Sequence, residues 1–346
     1  MKLRYEELYQ AYCKARKGKS KKKDIIQRDT HLHANLRKLY HELITDTYTI
    51  QATTRYIIKD PVPREIIVLS FRDRIVQHLV HGYIYPIRDK RFIYDSYSNR
   101  IGKWTLAAIQ RASKFMRSCS DNYTQDCYVM KCDIQSFFVS IDRHILRNLI
   151  NKKFRSIHVL RDKVWVLRLV SMIIFHDYIH NMDDRTTAEQ KLLIPSHKSL
   201  LSAPPNKGMP LGNITSQLFG NIYLHQLDLY IKHTLNIKHY ARYVDDFILL
   251  HRDKQYLLSC YQKIKQFVEK NLSIHLHPKK KYIQQYSKWF LFLWIYIYPY
   301  CRIIWPRIKN WLIQAIYKQK SHASLMSYHG LIKHHNSWKY QCMIVI

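Results

Sequence analysis

Acidic residues are scarce in this 346-residue chain: 25 Asp and Glu stand against 57 Lys and Arg, a formal charge of +32. So basic a chain implies a polyanionic partner, nucleic acid before an anionic membrane. Long apolar runs are missing too. The longest, Trp289 to Tyr298, is ten residues, about half of the ~20 that a membrane-spanning helix needs, so a transmembrane reading fails. The opening Met1-Lys2-Leu3-Arg4-Tyr5-Glu6-Glu7 carries two acids and leads into no apolar run; a secretory signal is not expected and a cytoplasmic location is. The seven cysteines (Cys13, Cys119, Cys127, Cys132, Cys260, Cys301, Cys342) include no Cys-x-x-Cys pair, which argues against a disulfide framework or a zinc knuckle and for reduced thiols used in packing. Among 20 histidines there is no His-Glu-x-x-His, and the pairs His31/His33 and His275/His277 have no acid or thiol beside them in sequence, so solvated histidines are expected rather than a metal site. Glycine is rare: 7 residues, about 2% where roughly 7% is usual, matched by 7 Trp.

What is present suffices for folding. A 47% hydrophobic content allows a real core, and the length has room for two or three folded units. After a basic loop at 17–23, Asp24 is placed to cap a helix whose Ile25, Leu32, Leu36, Leu39 and Leu43 share one face. Short strands are expected at 48–50, 55–58 and 66–69, split by Asp60-Pro61-Val62-Pro63, then helices at 72–85 and 106–116. Residues 127–290 alternate strand-like runs (128–132, 238–243, 247–251, 273–276) with helical patterns (142–150, 160–180, 214–235, 254–271), an α/β (α+β) arrangement with one sheet. Helices at 307–319 and 324–334 end the pattern, and no repeat suggests a solenoid.

The chemistry concentrates in acids. Tyr243-Val244-Asp245-Asp246 lies between two β-prone runs, which puts adjacent carboxylates at a hairpin tip. Alone, Asp-Asp in a turn is ordinary turn chemistry. Asp133 changes the balance, because it ends the strand-like run Val129-Met130-Lys131-Cys132, so three acids converge at the ends of neighbouring strands. Their repulsion is relieved by two Mg²⁺ ions, with Mn²⁺ as a substitute. Such a pair, ~3.5–4 Å apart, activates an attacking hydroxyl and stabilises a leaving pyrophosphate.

Three segments then appear in order: Lys131-Cys132-Asp133-Ile134-Gln135-Ser136-Phe137-Phe138 with Ser140-Ile141-Asp142; Gly208-Met209-Pro210-Leu211-Gly212-Asn213-Ile214-Thr215-Ser216-Gln217; and Tyr243-Val244-Asp245-Asp246. Together they resemble a reverse transcriptase of the group II intron-like superfamily, from about Thr47 to Lys339. Arg72-Asp73-Arg74-Ile75-Val76-Gln77 and Ser96-Tyr97-Ser98-Asn99-Arg100-Ile101-Gly102-Lys103 add to it. The Leu211–Gln217 segment is similar to that of diversity-generating retroelements, and no room for a maturase domain is expected at the end.

The resemblance implies a right-hand polymerase: a basic helical extension (1–46), fingers (47–126), a palm (127–287, with a fingers-associated insertion at about 150–207), and a primer-grip region and thumb (288–346). It makes Asp133 and Asp245 the main metal ligands, Asp246 a supporting acid and the Ile134 carbonyl a further ligand. Arg100 and Lys103 fall near the incoming triphosphate, Phe138 under its sugar, and Leu211, Gly212 and Gln217 around the nucleotide. Lys280 follows the catalytic hairpin and is a proton donor to pyrophosphate. The implied partners are a template RNA, the cDNA or primer strand, dNTPs and a basic, barrel-forming accessory protein. Two alternatives are a retron-like or free-standing defence enzyme and an inactive RNA-binding module with the same fold. Two departures stand out: the family's Gly-Lys-Gly-Thr becomes Gly102-Lys103-Trp104-Thr105, and its Phe-Leu-Gly becomes Phe292-Leu293-Trp294. With glycine so rare, UGA codons meaning Gly and translated as Trp are one source of Trp104 and Trp294; Trp165, on an apolar helix, is expected in the core.

Overall fold

The computed structural model describes residues 3–19, 23–59, 62–154 and 163–318, with 325–326, 328–330 and 334 beyond them. Parts of the basic loop, the Asp60-Pro61 pair, most of the expected helix at 324–334 and Cys342 lie outside the described residues. Two compact units divide the chain: Met1–Phe92, Ser136–His225 and Leu272–Ile274 form the first, and Ile93–Gln135, Gln226–Asn271 and His275–Ile346 the second.

The first unit is mostly helical. Helices α1 (Tyr5–Arg16), α2 (Lys23–Asp29), α3 (Leu32–Ile44) and α4 (Phe71–Asp89) surround β1 (Thr53–Ile58) and β2 (Arg64–Val68) in sequence. The single helix expected from Asp24 to Leu43 is two, parted at Thr30-His31, and Asp24 lies inside α2 rather than at its cap. Leu36, Leu39 and Leu43 of α3 are buried, and Leu8, Ala11, Tyr12 and Ala15 line the inner face of α1. Helix α4 starts at Ser70, whose hydroxyl accepts the Asp73 amide, and it runs through Pro86 to Asp89 although the proline predicts an earlier stop. Ile84, buried two residues before Pro86, packs the helix there and helps offset the lost hydrogen bond. The Tyr48–Ile50 run is not a strand; the Tyr48 amide bonds back to the Glu42 carbonyl at the end of α3, and the Gln51 amide to Asp73. After α6 (Phe137–Ser140), α7 (Arg143–Phe154) and α8 (Lys163–Phe175), the short β5 (Met182–Asp184) pairs in parallel with β1, so one strand from the 127–290 block joins another sheet. Trp165 is buried, its indole donating to the Leu43 carbonyl. Helix α9 (Ala188–Leu192) precedes α10 (Ile214–Leu229), which continues as a π-helical turn at Tyr230–Thr234.

The second unit is built on a five-stranded sheet of β3 (Ser96–Tyr97), β6 (His239–Tyr243), β7 (Asp246–His251), β4 (Tyr128–Asp133) and β8 (Tyr282–Gln285), in that spatial order. Only β3–β6 is parallel. The expected strand at 273–276 reduces to an isolated bridge between Leu276 and Ile134. Helix α5 (Thr105–Cys119) buries Ala108, Ile109, Ala112, Phe115, Met116 and Cys119, the last four at i, i+3, i+4 and i+7 spacing, in one core with Val129, Ile248 and Leu250 of the sheet. The ten-residue apolar run folds as a hairpin, β9 (Phe290–Phe292) and β10 (Ile295–Ile297), extended by β11 (Arg302–Ile304) and followed by α12 (Pro306–Tyr317). Helix α11 (Lys254–Leu272) faces inward with Leu257, Cys260, Ile264 and Val268. Among the described residues no helix is long and apolar enough to cross a membrane, and the six described cysteines are free thiols.

Candidate active site

Strand β4 lies inside its sheet between β7 and β8, with Val129, Met130 and Cys132 buried, and it delivers Asp133 at its C-terminal end, 9% exposed. Directly across the antiparallel ladder, Asp133 is paired with Asp246, the first residue of β7. Asp245 sits in the two-residue turn between β6 and β7, behind Val244 at a φ of +55°. The turn is tied to β4, since the Ile134 amide donates to the Asp245 carbonyl at 3.2 Å. On the other side of β4's exit, the Gln135 amide bonds to the His275 carbonyl (2.9 Å) and the His277 amide to the Asp133 carbonyl (2.8 Å). That clasp carries the chain to Lys280, whose Nζ lies 2.8 Å from Asp133 Oδ2.

Residues two apart on a strand share a face, so Lys131 lies on the same side of β4 as Asp133. Its Nζ meets Asp246 Oδ2 at 3.0 Å. Burial pushes the Asp245 carboxyl up to about 7, aided by the negative charge of Asp133 and then of Asp246. Asp246 is raised to about 6, again first by burial, with Lys131 pulling it down and Asp133 pushing it up. Asp246 Oδ1 is buried with no hydrogen-bond partner among the described residues. Two hard oxygen acids whose ionisation burial and mutual repulsion oppose, one with an orphaned oxygen, fit a divalent cation such as Mg²⁺. The set is not closed: among the described residues no group of three or more His, Cys, Asp or Glu is gathered to hold a metal, and Lys131 and Lys280 each hold one acid.

Arg100 and Lys103 lie in the loop after β3 of this sheet. Arg100 Nη1 donates to the carbonyls of Ile93 and Ser96, both at 2.8 Å, which shapes the loop. Lys103 Nζ sits 3.1 Å from the centre of the Tyr94 ring. Trp104, which precedes α5, is 68% exposed with φ −89° and ψ 175°, an extended backbone that does not call for glycine. Trp294 differs: Leu293 and Trp294 form the turn between β9 and β10 with φ of +53° and +72°.

The remaining expected residues belong to the first unit. Phe138 is half-buried on α6, its ring 5.1 Å from that of Phe137. The Leu211 carbonyl accepts the Ile67 amide at 3.1 Å. Gly212 has a φ of +106°, and a Cβ there would lie 2.7 Å from Ile66 Cγ2, so the position admits only glycine. Gln217 is half-buried in the first turns of α10.

Sequence reasoning missed Lys131 and a buried pair behind the turn, Arg242 and Asp228, both 0% exposed. A signal existed: Arg242 interrupts an apolar strand and Asp228 an apolar helix, and buried charges need partners.

The sheet, its strand order and the acids at the ends of paired strands define a polymerase-like fold. Residues 59–295 match the family described as reverse transcriptase (RNA-dependent DNA polymerase), and the chain belongs to that family. A solved structure of telomerase from Candida albicans, in complex with a fragment of telomeric RNA, is similar over 72% of this chain, with a TM-score of 0.51 and 10% identity. This chain spans 44% of that protein, and at such identity the likeness concerns fold alone. No curated protein matches the chain.

Proposed function

We propose that the chain is an RNA-directed DNA polymerase that copies an RNA template into cDNA. The observation that carries this reading is register: Asp133 directly opposite Asp246, with Asp245 in the adjoining turn, in a chain of the reverse transcriptase family. In the reaction the primer 3′-oxygen bonds to the α-phosphorus of a dNTP, the bond to the β-phosphate breaks and pyrophosphate leaves. Asp133 and Asp245 would hold two Mg²⁺ ions, with Asp246 and the Ile134 carbonyl in support, and the ions would supply hydroxyl activation and leaving-group stabilisation. Lys280 neutralises Asp133 beforehand and gives its proton to the departing pyrophosphate. Lys103 offsets triphosphate charge, while Arg100 holds its loop. On this reading residues 47–126 act as fingers, 127–287 as palm and 288–346 as primer grip and thumb, in the cytoplasm.

The Leu211–Gln217 segment supports the finer reading of a diversity-generating retroelement. There the enzyme copies a template-repeat RNA with errors at adenines, together with a basic, barrel-forming accessory protein. The test is Mg²⁺-dependent primer extension on RNA. Asp133→Asn and Asp245→Asn should each abolish it while leaving the circular dichroism spectrum unchanged. Equal extension by either variant sinks the mechanism, and a wild type that binds RNA but never extends would favour an inactive binding module.

A further inference from the structure

The β6–β7 turn has an energetic problem of its own. A two-residue hairpin with positive φ at its first position ordinarily takes glycine there, yet this one carries Val244 at +55°. A β-branched residue in that region is strained, and such strain persists only where the surroundings over-determine it. Two contacts do so. The Ile134 amide holds the Asp245 carbonyl from β4, and Arg242 Nη1 donates to the Val244 carbonyl at 2.9 Å.

Arg242 could not do this from solvent. It is fully buried, and its Nε and Nη2 form a fork on Asp228, at 2.7 Å to Oδ1 and 2.6 Å to Oδ2. The Tyr240 hydroxyl donates to the same Asp228 Oδ1 at 2.7 Å. The Arg242 amide meets the Asp95 carbonyl at 3.0 Å, which fixes the strand from which the side chain projects. With Nε and Nη2 locked on a buried carboxylate, Nη1 has one orientation, and that orientation meets the turn.

We propose that the Arg242–Asp228 pair is a positioning device for the strained Val244–Asp245 turn, fixing the backbone that carries the Asp245 carboxylate. The proposal rests on the polymerase reading. A buried ion pair is rarely a net source of stability, and replacing both partners with apolar residues is often neutral, so a pair at this place has a geometric role to fill.

The test uses two variants of the full chain. Arg242→Met combined with Asp228→Leu removes both charges and leaves neither unpaired. Arg242→Lys keeps the charge on Asp228 but replaces the planar fork with one ammonium nitrogen, which cannot also reach the turn. Both should melt cooperatively with wild-type circular dichroism. In primer extension kcat should fall roughly 10- to 100-fold, as small misplacements of reacting groups do, with the KM for dNTP within about twofold. Hydrogen exchange at residues 244–246, read by mass spectrometry, should quicken in both. A merely structural pair would leave kcat and turn exchange at wild-type values once the variant has folded, and that result in either variant overturns the proposal. If the double variant does not fold, Arg242→Lys decides alone. If Asp245→Asn extends primers as the wild type does, the polymerase reading has failed, and turn exchange, which needs no activity, still judges the clamp.

Discussion

Trp289 and Trp294 are set in backbone conformations that belong to glycine, and replacing them separates backbone strain from packing. Trp294 occupies the second position of a two-residue hairpin with both φ values positive, the type I′ pattern in which glycine is the usual second residue. Holding a side chain in the left-handed region costs about 1–2 kcal/mol. Against that, the Trp294 ring lies 5.2 Å from Trp305 and 5.7 Å from Trp311, and aromatic pairs of this kind contribute ~0.5–1.5 kcal/mol each beyond their buried area. Packing therefore outweighs relief, and Trp294→Gly should lower stability slightly. The informative comparison is with Trp294→Ala, which loses the same rings but keeps a Cβ. At an ordinary position glycine is the weaker choice by ~0.5–1 kcal/mol; here the order should reverse, with the glycine variant ahead by about 1 kcal/mol.

Trp289 sharpens the case. Its φ of 99° and ψ of 160° fall in a region almost exclusive to glycine, costing of order 1–3 kcal/mol. It is 38% exposed, and its ring meets that of Tyr296 edge-on at 4.5 Å. Strain offsets much of the lost packing at this position, and Trp289→Gly should be more stable than Trp289→Ala. Trp311, inside α12, is the control where Ala should exceed Gly by about 1 kcal/mol. The assay is equilibrium denaturation of the six single variants, on a scale where 1 kcal/mol moves the Tm of a domain of 150–250 residues by roughly 2–4 °C. If alanine matches or beats glycine at 294, the backbone does not carry the strain described. The gene gives an independent reading: UGA at codons 289 and 294 would identify glycines decoded as tryptophan, and UGG would refute recoding. Trp104, extended and exposed, has no such backbone demand and drops out of the argument.

Two further outcomes are expected. Because the folded Asp245 carboxyl is raised from 3.8 to about 7, the folded chain binds more protons than the unfolded chain between those values, so metal-free stability falls as pH rises through that window. Asp245→Asn removes the penalty; its gain over wild type should grow between pH 5 and pH 8, up to about 4 kcal/mol, and a pH-independent gain would contradict the buried-charge account. On the retroelement reading, which puts Leu211 beside the incoming nucleotide, Leu211→Gln should lower misincorporation opposite template adenines; unaltered error spectra would remove Leu211 from fidelity.

Amphipathic elements were legible because their periodicity is local. The pattern at 254–271 is α11 (Lys254–Leu272) almost to the residue, and the β-prone runs around Tyr243 to Asp246 are β6 and β7. Failures fall where long-range contacts overrule propensity. β3 and β5 have two and three residues, too few for any period, and exist because longer strands accept them at an edge. Tyr48–Ile50 is β-prone, yet its backbone is claimed by the end of α3 and by Asp73.

At the candidate site the sequence names the acids but not what holds them. Asp133, Asp245 and Asp246 are recognisable because acids ending apolar strands are anomalous in a buried setting. Their partners depend on pairing register, which composition does not encode: Lys131 meets Asp246 only because β4 and β7 align Asp133 with Asp246, and a slip of one residue would put Lys131 on the other face. Arg242 finds Asp228 fourteen positions away in the chain, at the far end of the α10-to-β6 connection. The same dependence explains how the site tolerates its own charge. Two lysines reach the acids from β4 and from the segment after α11, and a buried arginine braces the turn from behind, so a strained, repelling arrangement is held by contacts converging from three parts of the chain.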